Sequence, residues 1–243
     1  MTSTILFAAA LLTAAYAIWL RAHDWGRPVA VSRPFTLALA CLALYAVFKL
    51  GWPNLDDGPG HEIIDLLDDA ALLGADVFLA AHIIRTWGYG RILWIAAAAA
   101  ALAAYAVVAH VTFGPSDSPT GGIWPTTGWA VPYTYAGLIA DASVHSAVAA
   151  SAFWMCRPGI GTPRASLLPL VLLGSGGAVI GLVRLHILLG HAITALPEPS
   201  ITAEVRPSMA VGTILYAMSA IVWHRASAKA ARERDNASTG SPA

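Results

Sequence analysis

The chain alternates between long apolar stretches and short polar connections. Seven stretches are apolar enough to cross a bilayer, which takes about 20 residues of α-helix. They cover residues 3–20, 34–52, 63–85, 92–113, 131–155, 166–190 and 207–223. The pattern predicts an all-α polytopic membrane protein, a seven-transmembrane-helix bundle over residues 1–225. Residues 226–243 are polar, and we expect a disordered cytoplasmic tail there.

Composition supports the membrane assignment. Hydrophobic residues make up 57% of the chain and charged residues 12%, and the mean hydropathy is +0.64. Soluble domains carry about 25% charged residues, so a soluble globular fold is excluded. We therefore expect membrane lipid to contact the apolar outer surface of the protein as a partner. The alanine-rich composition fits a multi-pass protein of a bacterial plasma membrane.

Basic residues fall on alternate connections, as the retention of Lys and Arg in the cytoplasm requires. The eleven basic residues of one side are Arg21, Arg27, Arg33, Arg85, Arg91, Arg157, Arg164, Arg225, Lys229, Arg232 and Arg234. The connections on the opposite side carry several carboxylates and, as a cation, Arg206. This asymmetry predicts an amino terminus outside the cell and a carboxyl terminus in the cytoplasm.

The third stretch carries carboxylates where a membrane helix normally has none. His61, Asp65, Asp69 and Asp76 are separated by four, four and seven residues, which places them on one stripe of a helix, with Asp68 beside it. A charge facing lipid at the bilayer centre costs about 2.5–3.5 kcal/mol on insertion scales. The stripe should therefore face the bundle interior. A wet outer helix end is the alternative for the three carboxylates at 65–69, but it does not fit Asp76 near mid-membrane.

Other stretches supply ionisable groups at matching depths. Asp141 and His145 lie one helical turn apart near the middle of the fifth stretch. Lys49 and Arg184 lie roughly 9 Å outward of the membrane centre, at about 1.5 Å rise per residue. His191 follows toward the outer rim. The distribution predicts a funnel that is open to the outside and closed toward the cytoplasm, where His82 is the remaining ionisable group.

This arrangement defines a set of candidate ligand- or ion-binding residues. They are Asp76, Asp141, His145, Arg184, Lys49, Asp69 and His191. The alternative is a purely structural network in which Arg184 or Lys49 neutralises Asp76 or Asp69 and holds the helices in register. Residues 114–135 could form a lid over the funnel or a loop anchored at the interface by its aromatic side chains.

Several kinds of chemistry find no support in the sequence. A retinal protein needs a Schiff-base lysine on the last stretch, which has none, and the histidines lie at depths unsuited to haem ligation. We expect no cofactor. No phosphate-binding loop, nucleophile elbow or dinucleotide motif is present, and no basic patch suits nucleic acid. Metal ligation by His145, Asp141, Asp76 and His191, as in an intramembrane hydrolase, is an alternative.

Two segments carry a resemblance to a known family. They are GWPNLDDGPGHEIIDLLDDAALLGADVFLAA, which opens with the turn Gly51-Trp52-Pro53-Asn54-Leu55, and RASLLPLVLLGSGGAVIGLVRLH, a Gly-rich helix ending in Val183-Arg184-Leu185. The chain resembles actinobacterial seven-helix integral membrane proteins that are regarded as transporters without an established function. The resemblance implies a transport role and assigns no site residues.

Three functions agree with these features. The first is a small transporter or ion-coupled permease in which Asp76, Asp141 and His145 bind a proton, a cation or a cationic solute. The second is a membrane receptor or sensor, which would need a membrane or cytoplasmic protein partner to read its short loops. The third is the metal-dependent hydrolase. We favour transport of an unknown small solute or ion, and we do not expect an enzyme.

Overall fold

The fold is all-α over the part of the chain that is described. The computed structural model describes residues 2–23, 32–51, 60–86, 130–192 and 204–239. Its helices are α1 (Thr2–His23), α2 (Arg33–Lys49), α3 (Gly60–Thr86), α4 (Ala130–Met155), α5 (Arg164–Ala192) and α6 (Arg206–Thr239). Each corresponds to one predicted apolar stretch. The predicted stretch 92–113 and most of the predicted lid or loop 114–135 lie outside the described residues.

The helices pack side by side into a closed ring. Neighbours in sequence contact each other from α1 to α3, α3 packs against α4, and α4, α5 and α6 follow in order. The ring closes because α6 packs against α1, and α6 also reaches α2. Polar side chains placed on the inner faces of α3, α4, α5 and α6 are therefore brought toward one another.

The two faces of the helices have the polarity expected in lipid. Outward-facing side chains include Leu12, Leu182 and Ile5, which are 71%, 65% and 66% exposed, whereas Asp76 and Asp141 are buried. Three described helices are long and apolar enough to cross a membrane, over Ser3–His23, Gly137–Met155 and Arg164–Gly190. This supports association with a membrane.

Local sequence explains where α2 begins and ends. The hydroxyl of Ser32 caps the first turn by accepting a hydrogen bond from the Phe35 N–H at 3.5 Å. Pro34 occupies the first turn, where its missing N–H costs nothing. The helix stops before Gly51, whose φ of 82° is a left-handed conformation that glycine adopts without strain.

The last helix is longer than the apolar pattern predicts. The predicted stretch ends at residue 223 and a disordered tail was expected over 226–243, but α6 continues to Thr239. This part of the chain is rich in Ala and Arg, which are strong helix formers. Lys229 and Glu233 also form an i,i+4 ion pair at 3.8 Å. Helix propensity thus extends the element beyond its apolar part.

Candidate functional site

Four ionisable side chains meet in the interior of the ring. Asp76 comes from α3, Asp141 and His145 from α4, and Arg184 from α5; we call them the buried charged cluster. Asp76, Asp141 and His145 are 4%, 3% and 0% exposed. The i,i+4 spacing places Asp141 and His145 on one face of α4, as the sequence predicts. Four of the seven candidate residues are therefore brought together.

His145 is the centre of this cluster. Its Nε2 atom lies 3.2 Å from an Asp141 carboxylate oxygen and 3.4 Å from an Asp76 carboxylate oxygen. Its Nδ1 atom shares a 2.6 Å hydrogen bond with the hydroxyl of Tyr216 on α6. The two rings also stack with their centroids 5.7 Å apart. One imidazole thus joins three helices and contacts both carboxylates.

Tyr216 is a site residue that the sequence analysis did not single out. It is completely buried, and its hydroxyl is the group that fixes Nδ1 of His145. The available signal was a single tyrosine in the middle of the otherwise apolar stretch 207–223. A tyrosine buried at that depth needs a hydrogen-bond partner for its hydroxyl, and this indicates a polar neighbour on another helix.

Arg184 forms an ion pair with Asp141. Its Nη2 atom also lies 3.6 Å from the Met209 sulfur on α6. The sequence analysis had considered Asp76 or Asp69 as the partner of Arg184, and the observed partner is Asp141. The guanidinium therefore neutralises one carboxylate of the buried charged cluster, and Asp76 relies on His145.

The remaining candidate residues are placed differently. Lys49 pairs with Asp68 and lies over the Tyr45 ring at 5.3 Å, so it forms an α2–α3 ion pair apart from His145. Asp69 is half-buried, adjacent to Asp68. The side chain of His191 lies outside the described residues, as do those of His61 and Asp65 on the predicted acidic stripe.

Two glycines allow α4 and α5 to approach closely at the cluster. A Cβ atom on Gly177 would lie 2.6 Å from the His145 carbonyl oxygen, and one on Gly181 would lie 2.9 Å from the Ser146 hydroxyl. Backbone atoms of α4 thus occupy the space a side chain would need. This agrees with the packing role that the four-residue spacing of these glycines indicates.

A cavity of about 270 Å³ lies at one end of the ring. It is lined by the end of α1, the start of α2, the ends of α3 and α4, the first part of α5 and the part of α6 near Trp223. Arg85, Arg157 and Arg164 belong to the same end. We call this the basic end and the space the basic-end cavity. The sequence predicted a funnel at the opposite, outer end. The cavity seen among the described residues is at the end predicted to be cytoplasmic.

Two aromatic rings separate the basic-end cavity from the buried charged cluster. Phe35 lines the cavity and contacts Tyr216 edge-on, with the centroids 6.3 Å apart. Tyr216 in turn holds His145. Contacts from Phe35 to Tyr216 and from Tyr216 to His145 therefore connect the cavity wall with the buried charged cluster.

The cluster has too few hydrogen bonds for its charge. Among the described residues, both carboxylate oxygens of Asp76 are buried without a hydrogen-bond partner, whereas Asp141 forms an ion pair with Arg184 and lies 3.2 Å from His145. Two carboxylates and one guanidinium leave one negative charge when His145 is neutral, and one added proton balances it. Unpaired polar groups of this kind are costly away from water, so the cluster is suited to binding a small cation or a proton.

The same geometry bears on metal binding. Asp76, Asp141 and His145 each offer a ligand atom, and these atoms lie within 4.8 Å of one another. The Arg184 guanidinium, which contacts Asp141, would repel a divalent cation in that position. The donors thus suit a proton better than a divalent metal.

No protein-family model, no curated protein and no solved structure matches this chain.

Proposed function

We propose that the protein is a small multi-pass membrane permease that couples the movement of a solute to one proton bound at the buried charged cluster. In this proposal seven helices cross a bacterial plasma membrane, with the amino terminus outside and the carboxyl terminus in the cytoplasm. Asp76 and His145 exchange the proton, Asp141 orients the imidazole, and Arg184 keeps Asp141 ionised. The solute is small and of undefined class.

The incompletely paired Asp76 carboxylate is the observation that carries this proposal. Asp76 is 4% exposed and lies 3.4 Å from His145, which is too long for a hydrogen bond of normal strength. Its other ionisable neighbour among the described residues is the like-charged carboxylate of Asp141, within 4.8 Å. A purely structural ion pair is expected to satisfy its carboxylates, as a buried charge is costly otherwise. An incompletely paired carboxylate beside a histidine is typical of proton relays in transporters.

The position of the cluster also favours transport over sensing. His145 lies between the carboxylates and Tyr216, and Tyr216 leads through Phe35 to the basic-end cavity. A proton that enters from that cavity reaches His145 once the two rings move apart. Alternating access requires a site that opens to the two sides in turn, and a movable pair of rings can serve as one of its gates.

We expect a pH jump to move charge within the wild-type protein even when no solute is present. Proton binding at mid-membrane displaces charge across part of the bilayer field, so proteoliposomes on a solid-supported membrane should show a transient current of about one charge or less per protein. Asp76→Asn should abolish the transient because it removes the proton acceptor.

The matched control for this experiment is Glu233→Gln. Glu233 is an exposed carboxylate on α6, paired with Lys229 beyond the apolar stretch, and its removal should leave the transient unchanged. A transient of wild-type size in folded Asp76→Asn protein would refute the proton site. A sensor would bind a ligand without the transient. One equivalent of divalent metal in the wild-type protein, lost in Asp76→Asn, would favour the metal-dependent alternative.

The proposed orientation gives a separate prediction. Ile160 lies in the described turn between α4 and α5 and is 43% exposed. In a background lacking Cys41 and Cys156, Ile160→Cys should react with a membrane-impermeant thiol reagent in inverted vesicles and stay unmodified in intact cells. Leu12→Cys, which faces lipid, is the control and should be unreactive in both. Modification of Ile160→Cys in intact cells would reverse the orientation.

A further inference from the structure

The basic-end cavity has the size of a small-molecule site. Its volume of about 270 Å³ corresponds to the space of about nine water molecules in the liquid. Most of its wall is apolar, with side chains such as Leu170, Leu173 and Trp223. Cavities with this character bind compact organic molecules and use a few polar groups to orient them.

Arg21 is the charged group of the cavity wall. It is 3% exposed, although the positive-inside pattern placed it in a cytoplasmic connection. Its Nε donates to the Thr36 hydroxyl at 2.8 Å, and its Nη2 donates to the Ser32 carbonyl at 3.1 Å. Both acceptors are neutral. Of the five guanidinium N–H groups, those that remain have no acceptor among the described residues.

An aromatic ring, a histidine and the amino terminus of α2 surround Arg21. The guanidinium lies 5.5 Å from the Phe35 ring centroid, and His82 stacks on the same ring at 5.0 Å. Nδ1 of His82 shares a 2.8 Å hydrogen bond with the hydroxyl of Ser32, the N-cap of α2. The positive end of the α2 dipole is therefore directed to the same place. Within the described part of the chain, no carboxylate lines the cavity.

We propose that the basic-end cavity binds a small organic carboxylate with an apolar body. The carboxylate accepts hydrogen bonds from the free N–H groups of Arg21, which is the geometry that guanidinium groups favour. The apolar body lies against Leu170, Leu173 and Trp223. The bound carboxylate thereby supplies a counter-charge to Arg21, which is buried without an acidic partner among the described residues. This site is distinct from the proton site, and its occupation requires no transport.

Calorimetric titration of the purified protein in detergent tests this binding. The probes are benzoate and its neutral counterpart benzamide, which match in shape and differ in charge. Benzoate should bind with a dissociation constant in the millimolar range or below, and benzamide about tenfold or more weakly, because it lacks the charge-assisted hydrogen bonds. Equal binding of the two probes, or no heat from benzoate, would overturn the proposal.

Two variants locate the site. Arg21→Gln should weaken benzoate binding by about tenfold or more, since it removes the charge. Arg21 also ties α1 to the start of α2, so this variant could lose its fold, and Ala152→Leu provides a second test. Ala152 lines the cavity and is 2% exposed, and a larger side chain there fills the space while Arg21 stays in place. Unchanged benzoate binding in either folded variant would contradict the site.

A competition with palmitate separates a soluble acid from a membrane lipid. The cavity volume suits a short molecule, so palmitate should not displace benzoate. Displacement by palmitate at a lower concentration than benzoate itself requires would show that the anion is a lipid and would overturn the assignment to a small solute. Glu233→Gln, which changes an exposed carboxylate on α6, serves as the unaffected control for all titrations.

Discussion

Replacing Arg184 with glutamine is expected to lower the free energy of unfolding by about 3–5 kcal/mol, the usual cost of removing one partner of a buried ion pair. Arg184 pairs with Asp141, which is 3% exposed, and Asp76 lies in the same cluster. Without the guanidinium, two carboxylates remain in the ring interior, and His145 is the basic group left beside them among the described residues. Thermal and denaturant unfolding of the purified variant in detergent measures the loss.

A double variant shows whether the loss comes from the uncompensated charge. Asp141→Asn combined with Arg184→Gln removes both charges of the pair, so the double variant should be more stable than Arg184→Gln alone. Lys229→Gln, which breaks the exposed ion pair with Glu233, should not change stability measurably. If the losses in free energy of unfolding of the two single variants simply add in the double variant, Arg184 and Asp141 are not coupled. That result would contradict a stabilising ion pair in the buried charged cluster.

The second large effect is expected at Gly177. An added Cβ atom would lie 2.6 Å from the carbonyl oxygen of His145 and 2.9 Å from the backbone nitrogen of Ala149. Both are backbone atoms, so α4 and α5 must separate to make room. Overpacking of this kind costs about 1–3 kcal/mol. Gly177→Ala should therefore lower the melting temperature and reduce the pH-jump transient, because the separation moves His145 relative to Arg184.

Gly137 provides a matched control for this substitution. It is a helical glycine of α4, and a Cβ atom added there would meet no atom of the described residues within 4 Å. Gly137→Ala should keep or raise stability, since alanine is favoured over glycine in a helix by about 1 kcal/mol. If Gly177→Ala were as stable as Gly137→Ala, the close approach of α4 and α5 would not be needed to assemble the cluster.

The apolar pattern located the described helices because each must supply about 20 residues of apolar surface to lipid or to its neighbours. α4 runs over Ala130–Met155, against a prediction of 131–155, and α5 over Arg164–Ala192, against 166–190. The i,i+4 rule placed Asp141 and His145 on one face for a similar reason, since helix geometry is local.

Pairing between helices could not be derived in the same way. Depth along a helix gives the height of a residue in the membrane but not which helix is its neighbour, so the partner of Arg184 was open until the ring placed α4 beside α5. The helix that faces Tyr216 could not be derived from depth either, so Tyr216 was not predicted to be a site residue. Arg21 was predicted to lie in the connection after the first stretch, but α1 continues to His23 and brings Arg21 against the start of α2.

The length of α6 gives the protein a rigid arm. Its 34 residues correspond to about 51 Å of helix, whereas the hydrocarbon core of a bilayer is about 30 Å thick. In the proposed topology, in which α6 crosses the bilayer, about 20 Å of helix beginning near Trp223 projects beyond the lipid as a stiff rod. A fluorescent domain or binding partner attached there would be held at a fixed distance and direction from the bilayer, and any rotation of α6 during a conformational cycle would be transmitted to it.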